Sequence, residues 1–268
     1  MSLTRTELKH IQTLLSKKGR KQIKMFVAEG VRLLEEAVRF QFWPQTVLVA
    51  DALLSERGQK LVEQFRRRGI RTVDVSARQM DSLTDTRTPQ GLLGVFGTPS
   101  LKLSELYQAR YRKLLICENV ADPGNLGTLI RSALAFAFNM VIVSGSSAEP
   151  FAPKVVRASA GAVFGVPIAD TDKGPLVAFM RQHNVAIVAA EPRGSVRVEE
   201  TRTLLSRQSI ALAIGSEPHG LSELLITNAT ARVRIEHTGE VESLNAAVAG
   251  SILMNEIYNL SDKVRHEN

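Results

Sequence analysis

The stretch Ile210-Ala211-Leu212-Ala213-Ile214-Gly215-Ser216-Glu217-Pro218-His219-Gly220-Leu221-Ser222 joins five apolar residues to a glycine-bounded turn. A short unbroken apolar run predicts a strand buried on both faces. The turn then leads to a helix over 222–228, with Ser222 able to cap it. The same strand–turn–helix unit recurs on either side. Strands are expected at 114–117, 140–143, 166–169, 185–189 and 232–235, with helices at 125–138, 153–160, 176–183 and 243–260. Strands that alternate with helices predict an α/β fold with a mainly parallel, helix-covered sheet. No strand is followed by the GxGxxG spacing of a dinucleotide-binding enzyme, which counts against that rival class.

Two further turns resemble the first in kind. Residues 118–127, ENVADPGNLG, follow a strand and open a helix whose free N–H groups suit an anion. Arg131 is expected about one turn into that helix, within reach of the loop. Residues 235–249, IEHTGEVESLNAAVA, bring Ser243 and Asn245 to the start of a helix rich in small residues. Each turn read alone is equally an ordinary connection: Arg131 on a solvated face, Ser222 and Ser243 as caps, His219 as an exposed turn residue. Gly215 would let a ligand approach the backbone closely, and Glu217 at a strand end would be available to a hydroxyl or an amino group.

The first hundred residues differ in charge. They hold 17 Lys and Arg against 10 Asp and Glu, whereas residues 101–268 hold 17 of each. The whole excess of +7 therefore lies in the amino-terminal part, as expected of a surface that attracts a polyanion. Lys17, Lys18, Arg20, Lys21 and Lys24 concentrate it in a run broken by a turn at Gly19. Helices are expected at 6–15, 31–40 and 55–68, and strands at 26–30, 46–50, 71–75 and 92–96. These make a small α/β domain over 1–97, a linker over 98–108 and a second domain over 109–268. Aromatic residues are only 5% of the chain, so rows of stacking rings are not expected to dominate recognition. The single Cys117 excludes an internal disulfide and a cysteine-based zinc site, and no metal is expected. No stretch reaches the length of a membrane span, and a cytoplasmic location is expected.

Taken in order, NLGTLIRSA (125–133), IGSEPHGLS (214–222) and the run from Ile235 through ESLNAAVA (242–249) resemble the three motifs of the SpoU (TrmH-like) family of RNA 2′-O-ribose methyltransferases, within the SPOUT superfamily. FVAEGVRLLEEA (26–37), PQGLLGVF (89–96) and VVRASAGAVFGVP (155–167) extend the resemblance to nearly the whole chain. It implies a carboxy-terminal parallel-sheet domain with a deep trefoil knot, preceded by a ribosomal-protein-like RNA-binding domain. It also implies S-adenosyl-L-methionine as cofactor, met by Gly215, Gly220, Leu221, Ile235, Ser243 and Leu244. Asn125, Arg131, Glu217, Ser243 and Asn245 match the polar active-site positions. The partners implied are structured RNA, of the 23S ribosomal type, and a second copy joined through the carboxy-terminal domain. Arg131 would also contact the RNA and lie nearest the departing proton, either losing its own proton transiently beside an RNA phosphate or, as the poor basicity of a guanidinium favours, keeping its charge to orient that phosphate and stabilise the developing alkoxide.

Glu236 and His237 stand where the family often has Pro and Met, and Ala246-Ala247 replace a more usual Val-Ser. The alternatives are a transfer-RNA 2′-O-methyltransferase and a non-catalytic RNA-binding protein with a decayed site.

Overall fold

The structure is a computed structural model. It describes residues 3–86, 88–99, 103, 113–201, 204, 209–216 and 219–266, those beyond 260 as backbone alone. Glu217 and most of the expected linker lie outside the described residues. The first hundred residues carry α1 (Arg5–Thr13), α2 (Lys17–Ile23), β1 (Met25–Glu29), α3 (Val31–Arg39), β2 (Thr46–Val49), α4 (Glu56–Arg67), β3 (Arg71–Asp74), α5 (Ala77–Asp81) and β4 (Leu92–Gly97). Then follow β5 (Lys113–Glu118), α6 (Pro123–Ala135), β6 (Met140–Ser144), α7 (Pro153–Ala158), β7 (Ile168–Asp170), α8 (Lys173–Gln182) and β8 (Ala186–Ala190). The last are β9 (Val196–Arg197), β10 (Ile210–Ile214), α9 (Glu223–Thr227), β11 (Ala231–Arg234) and α10 (Ala246–His266).

By its contacts the chain divides into two units. One is Met1–Ser100 together with Phe151–Gly165; the other is Leu101–Pro150 with Val166–Asn268. The first unit has a mixed sheet in the order β1-β4-β2-β3, antiparallel except where β2 meets β3. Its core includes an aromatic cluster. Phe151 lies 4.8 Å from Phe26 between ring centroids, and Phe164 lies 5.2 Å from Phe96 and 5.4 Å from Phe42. These rings draw the segment around α7 into the first unit, and the Arg157 guanidinium clasps the Asp85 carboxylate there. That ion pair holds the Asp85 carboxyl below its usual range, chiefly through the hydrogen bond from Arg157.

The basic run is a helix over Lys17–Ile23, not the turn expected at Gly19, and Lys24 follows it as a left-handed cap. Ser16 caps it by accepting from the Gly19 amide, and Lys17, Lys18 and Lys21 lie exposed on its outer side. Gly19 and Arg20 turn inward. Arg20 is 5% exposed and donates to the Leu14 carbonyl at 2.7 Å.

Among the described residues the second unit is built on seven strands in the order β7-β6-β5-β10-β8-β11-β9, every pair parallel. Strands β5, β6 and β10 are buried along their whole length, as continuous apolar runs predict. The long last helix starts at Ala246, three residues later than expected. Gly250 lets α10 lie close: a Cβ there would stand 2.4 Å from Leu129 of α6 and 3.3 Å from Ile214 of β10. The Ser132 and Ser251 hydroxyls meet at 2.7 Å across the same contact.

Candidate functional site

Parallel strands all deliver their carboxyl ends to one edge of the sheet, where connecting loops gather. Here the loops after β8, β10 and β11 surround a cleft of about 810 Å³. Ile214, Val233, Ile235, Leu244 and Leu253 give it an apolar side. Ser216, His219, His237, Ser243 and the charged Glu191, Arg193 and Glu242 supply polar groups.

The turn after β10 is closed on itself. Ser216 and Gly220 exchange backbone hydrogen bonds of 3.2 and 2.8 Å. A Cβ on Gly215 would lie 2.2 Å from the Gly220 carbonyl carbon, so the turn's own backbone already requires glycine there. From the far side the turn is held by Glu118, the last residue of β5, which is fully buried. Its carboxylate accepts from the Ser222 amide at 2.6 Å and the Ser222 hydroxyl at 2.7 Å, and Lys173 Nζ lies 3.4 Å away. Sequence reasoning assigned Glu118 no role. The signal was there: an acid closing an otherwise apolar strand, LLICE, needs partners wherever it is buried. Burial pushes the neighbouring Cys117 thiol up to about 12, which leaves it un-ionised at neutral pH.

The 235–245 segment returns from β11 to α10. Glu236 pairs with Arg197 at 2.9 Å and lies 3.6 Å from Arg234, while His237 Nδ1 accepts from the Gly239 amide at 3.2 Å. The two residues that depart from the family pattern thus have local partners. The helix cap is Asn245, not Ser243: its Oδ1 accepts from the Ala247 and Val248 amides at 2.9 and 3.2 Å. Its Nδ2 donates to Asn125 Oδ1 at 3.0 Å, tying the start of α10 to the first turn of α6. There Asp122 accepts from the Asn125 amide.

Of the expected cofactor residues, Gly215, Gly220, Ile235, Ser243 and Leu244 line the cleft. Leu221 instead sits in the core with Leu225. Asn125 and Asn245 are joined to one another beside the cleft rather than lining it. Because α6 begins at Pro123, Arg131 lies about two turns in, not one, roughly 12 Å along the axis. It is exposed and has no acid partner among the described residues. In the first unit Lys17, Lys18, Lys21 and Lys24 are exposed, and Arg20 alone of that run is committed to the fold. Among the described residues no cluster of His, Cys, Asp and Glu is arranged to hold a metal ion, and no helix is long and apolar enough to cross a membrane.

Comparison with known proteins matches residues 112–255 to the SpoU rRNA methylase family and residues 5–94 to an MRM3-like substrate binding domain. Over 248 residues the chain is 28% identical to the 23S rRNA (guanosine(2553)-2′-O)-methyltransferase RlmP of Bacillus subtilis, covering 92% of this chain and 94% of that protein. An AdoMet-bound rRNA methyltransferase from Sinorhizobium meliloti superposes with a TM-score of 0.84 at 30% identity, over 97% of this chain and 96% of that one. The SpoU methyltransferase AviRb from Streptomyces viridochromogenes, in complex with AdoMet, gives 0.84 at 25% identity, over 96% and 98%. With the family match running through every strand of the parallel sheet from β5 to β11 and into α10, the chain belongs to the SpoU rRNA methylase family.

Proposed function

We propose that the protein transfers the methyl group of S-adenosylmethionine to a ribose 2′-hydroxyl of ribosomal RNA. The observation that carries this reading is the cleft at the carboxyl edge of the parallel sheet, where the 214–220 and 235–246 segments meet. Its size falls within the range of cofactor pockets. Its apolar side suits an adenosine, and the Ser216 hydroxyl, buried without a hydrogen-bond partner among the described residues, leaves a polar group for a ligand to satisfy. The AdoMet complexes of two relatives support the cofactor. The name of RlmP supports ribosomal RNA.

S-adenosylmethionine supplies a methyl group already activated as a sulfonium. The remaining task falls to the chain: to hold a 2′-hydroxyl in line while its proton passes to a neighbouring RNA phosphate or to water and S-adenosylhomocysteine departs. Arg131 orients a phosphate of the substrate and stabilises charge growing on the attacking oxygen. Glu217 positions the hydroxyl or Arg131. Asn125 and Asn245 keep the α6 and α10 termini in register, and Ser243 contributes a hydroxyl at the cleft.

Residues 1–97 act as the RNA-binding domain, with Lys17, Lys18, Lys21 and Lys24 meeting phosphates, and residues 109–268 as the catalytic domain. The threading of the second domain into a trefoil knot, the pairing of two copies through it and action in the cytoplasm belong to the same proposal. Half-exposed Val241 and Val248 near the cleft support the pairing.

The test is methyl transfer from labelled S-adenosylmethionine to ribosomal and transfer RNA from cells lacking the gene. Labelled ribose in ribosomal RNA is the expected result. Label in transfer RNA alone would move the substrate, and calorimetry without any S-adenosylmethionine binding would leave only an RNA-binding protein.

A further inference from the structure

In the first unit, α4 runs out in Arg66, Arg67 and the capping residue Arg68, and β3 opens on Arg71. Three of these four arginines have acids. Arg66 lies 3.6 Å from Asp74, Arg67 pairs with Glu63, and Arg71 lies 2.6 Å from Glu7. Arg68 has a ring instead. Its guanidinium carbon stands 3.8 Å from the centre of the Trp43 ring, and no acid pairs with it among the described residues. Trp43 is the sole tryptophan of the protein and is partly exposed, in the loop between α3 and β2. The same connection starts with a second such stack, Arg39 at 4.4 Å over Phe40, but Arg39 also pairs with Glu36.

A guanidinium is flat, always charged and weakly hydrated. Laid on an indole and exposed, Arg68 combines a stacking plane with a positive charge that no carboxylate offsets. An unpaired nucleotide offers the matching pair, a base with a free face and a phosphate. A base-paired helix offers the phosphates but keeps its base faces covered. We propose that Arg68 on Trp43 forms a platform for one unpaired base of RNA, a contact different in kind from the lysine–phosphate contacts of α2. The proposal rests on the RNA-binding reading of this unit and adds the chemistry of the contact. It assigns recognition to a single ring, in keeping with an aromatic content too low for a row of them.

Trp43 reports on itself, because all tryptophan emission comes from it. The full-length protein is titrated with a short single-stranded RNA and with a fully paired duplex. Trp43 emission and the anisotropy of a dye on the RNA are read together. Single-stranded RNA is expected to quench Trp43 in step with binding, and the duplex to bind without quenching. Arg68→Ala is expected to weaken single-strand binding about tenfold, within the range of one stacked base. Arg68→Lys, which keeps charge but not the plane, should not restore it. Lys21→Ala should weaken both RNAs while leaving the quench at saturation unchanged. RNA binding by anisotropy with Trp43 emission unmoved, or full rescue by Arg68→Lys, overturns the platform and leaves the RNA-binding reading standing. Binding of neither RNA overturns both.

Discussion

A carboxylate removed from water needs hydrogen bonds and a cation in place of the solvent, and Glu118 has both in Ser222 and Lys173. Glu118→Ala is therefore expected to lower stability by about 2 kcal/mol, measured by urea unfolding, and to weaken S-adenosylmethionine binding by slackening the turn after β10. Arg131→Ala should leave that binding intact and reduce turnover about 10²- to 10³-fold, the usual effect of removing one transition-state stabiliser. Near-normal turnover would take Arg131 out of the mechanism. Asp85 makes a pH prediction. Its folded pKa is depressed by Arg157, so its stabilising contribution is present above the unfolded value near 4 and is lost as pH falls through the folded value. The stability gap between the wild type and Asp85→Asn should accordingly be widest near neutrality and close in acid. The polar candidates were legible from the motifs because turn residues carry distinctive types. Glu118 and Arg20 were not, since a lone charge in a sequence does not say whether it is buried, and only tertiary packing brings Ser222 or the Leu14 carbonyl to it.

The strands were legible nearly to their ends, because buried parallel strands are uninterrupted apolar runs such as 210–214. Helix starts were less so. A serine and an asparagine both precede α10, and either residue type is a good helix cap. The amides of Ala247 and Val248 select Asn245 as the cap. Asn245→Ala should cost about 1 kcal/mol as a lost cap and release Asn125 as well, so it should lower turnover more than Asn125→Ala alone does. The lysine-rich stretch at 17–24 misled because Gly19 is a poor helix residue. It is kept there because the helix packs at that position too closely for a side chain. The two-residue β9 carries no periodicity long enough to read.

Alternation of strands and helices made both α/β parts visible, together with the charge step between them. Contacts made by Phe151 and Phe164 were not visible, because a phenylalanine far along the chain carries no mark of the sheet it will cover. Phe164→Ala is expected to destabilise the first unit by about 3 kcal/mol. A fragment ending at residue 100 should bind a hydrophobic dye, since it lacks both rings. A cooperative, dye-free fragment would contradict that account. The pairing of β5 with β10 has a different consequence, in time rather than in energy. Leu114 lies opposite Ala211, so the middle of the seven-stranded sheet joins segments about a hundred residues apart, and such distant partners fold slowly. During synthesis β5 must wait, its β10 edge bare, until nearly the whole chain has left the ribosome. The newborn protein passes through a vulnerable interval in which a chaperone has something to hold.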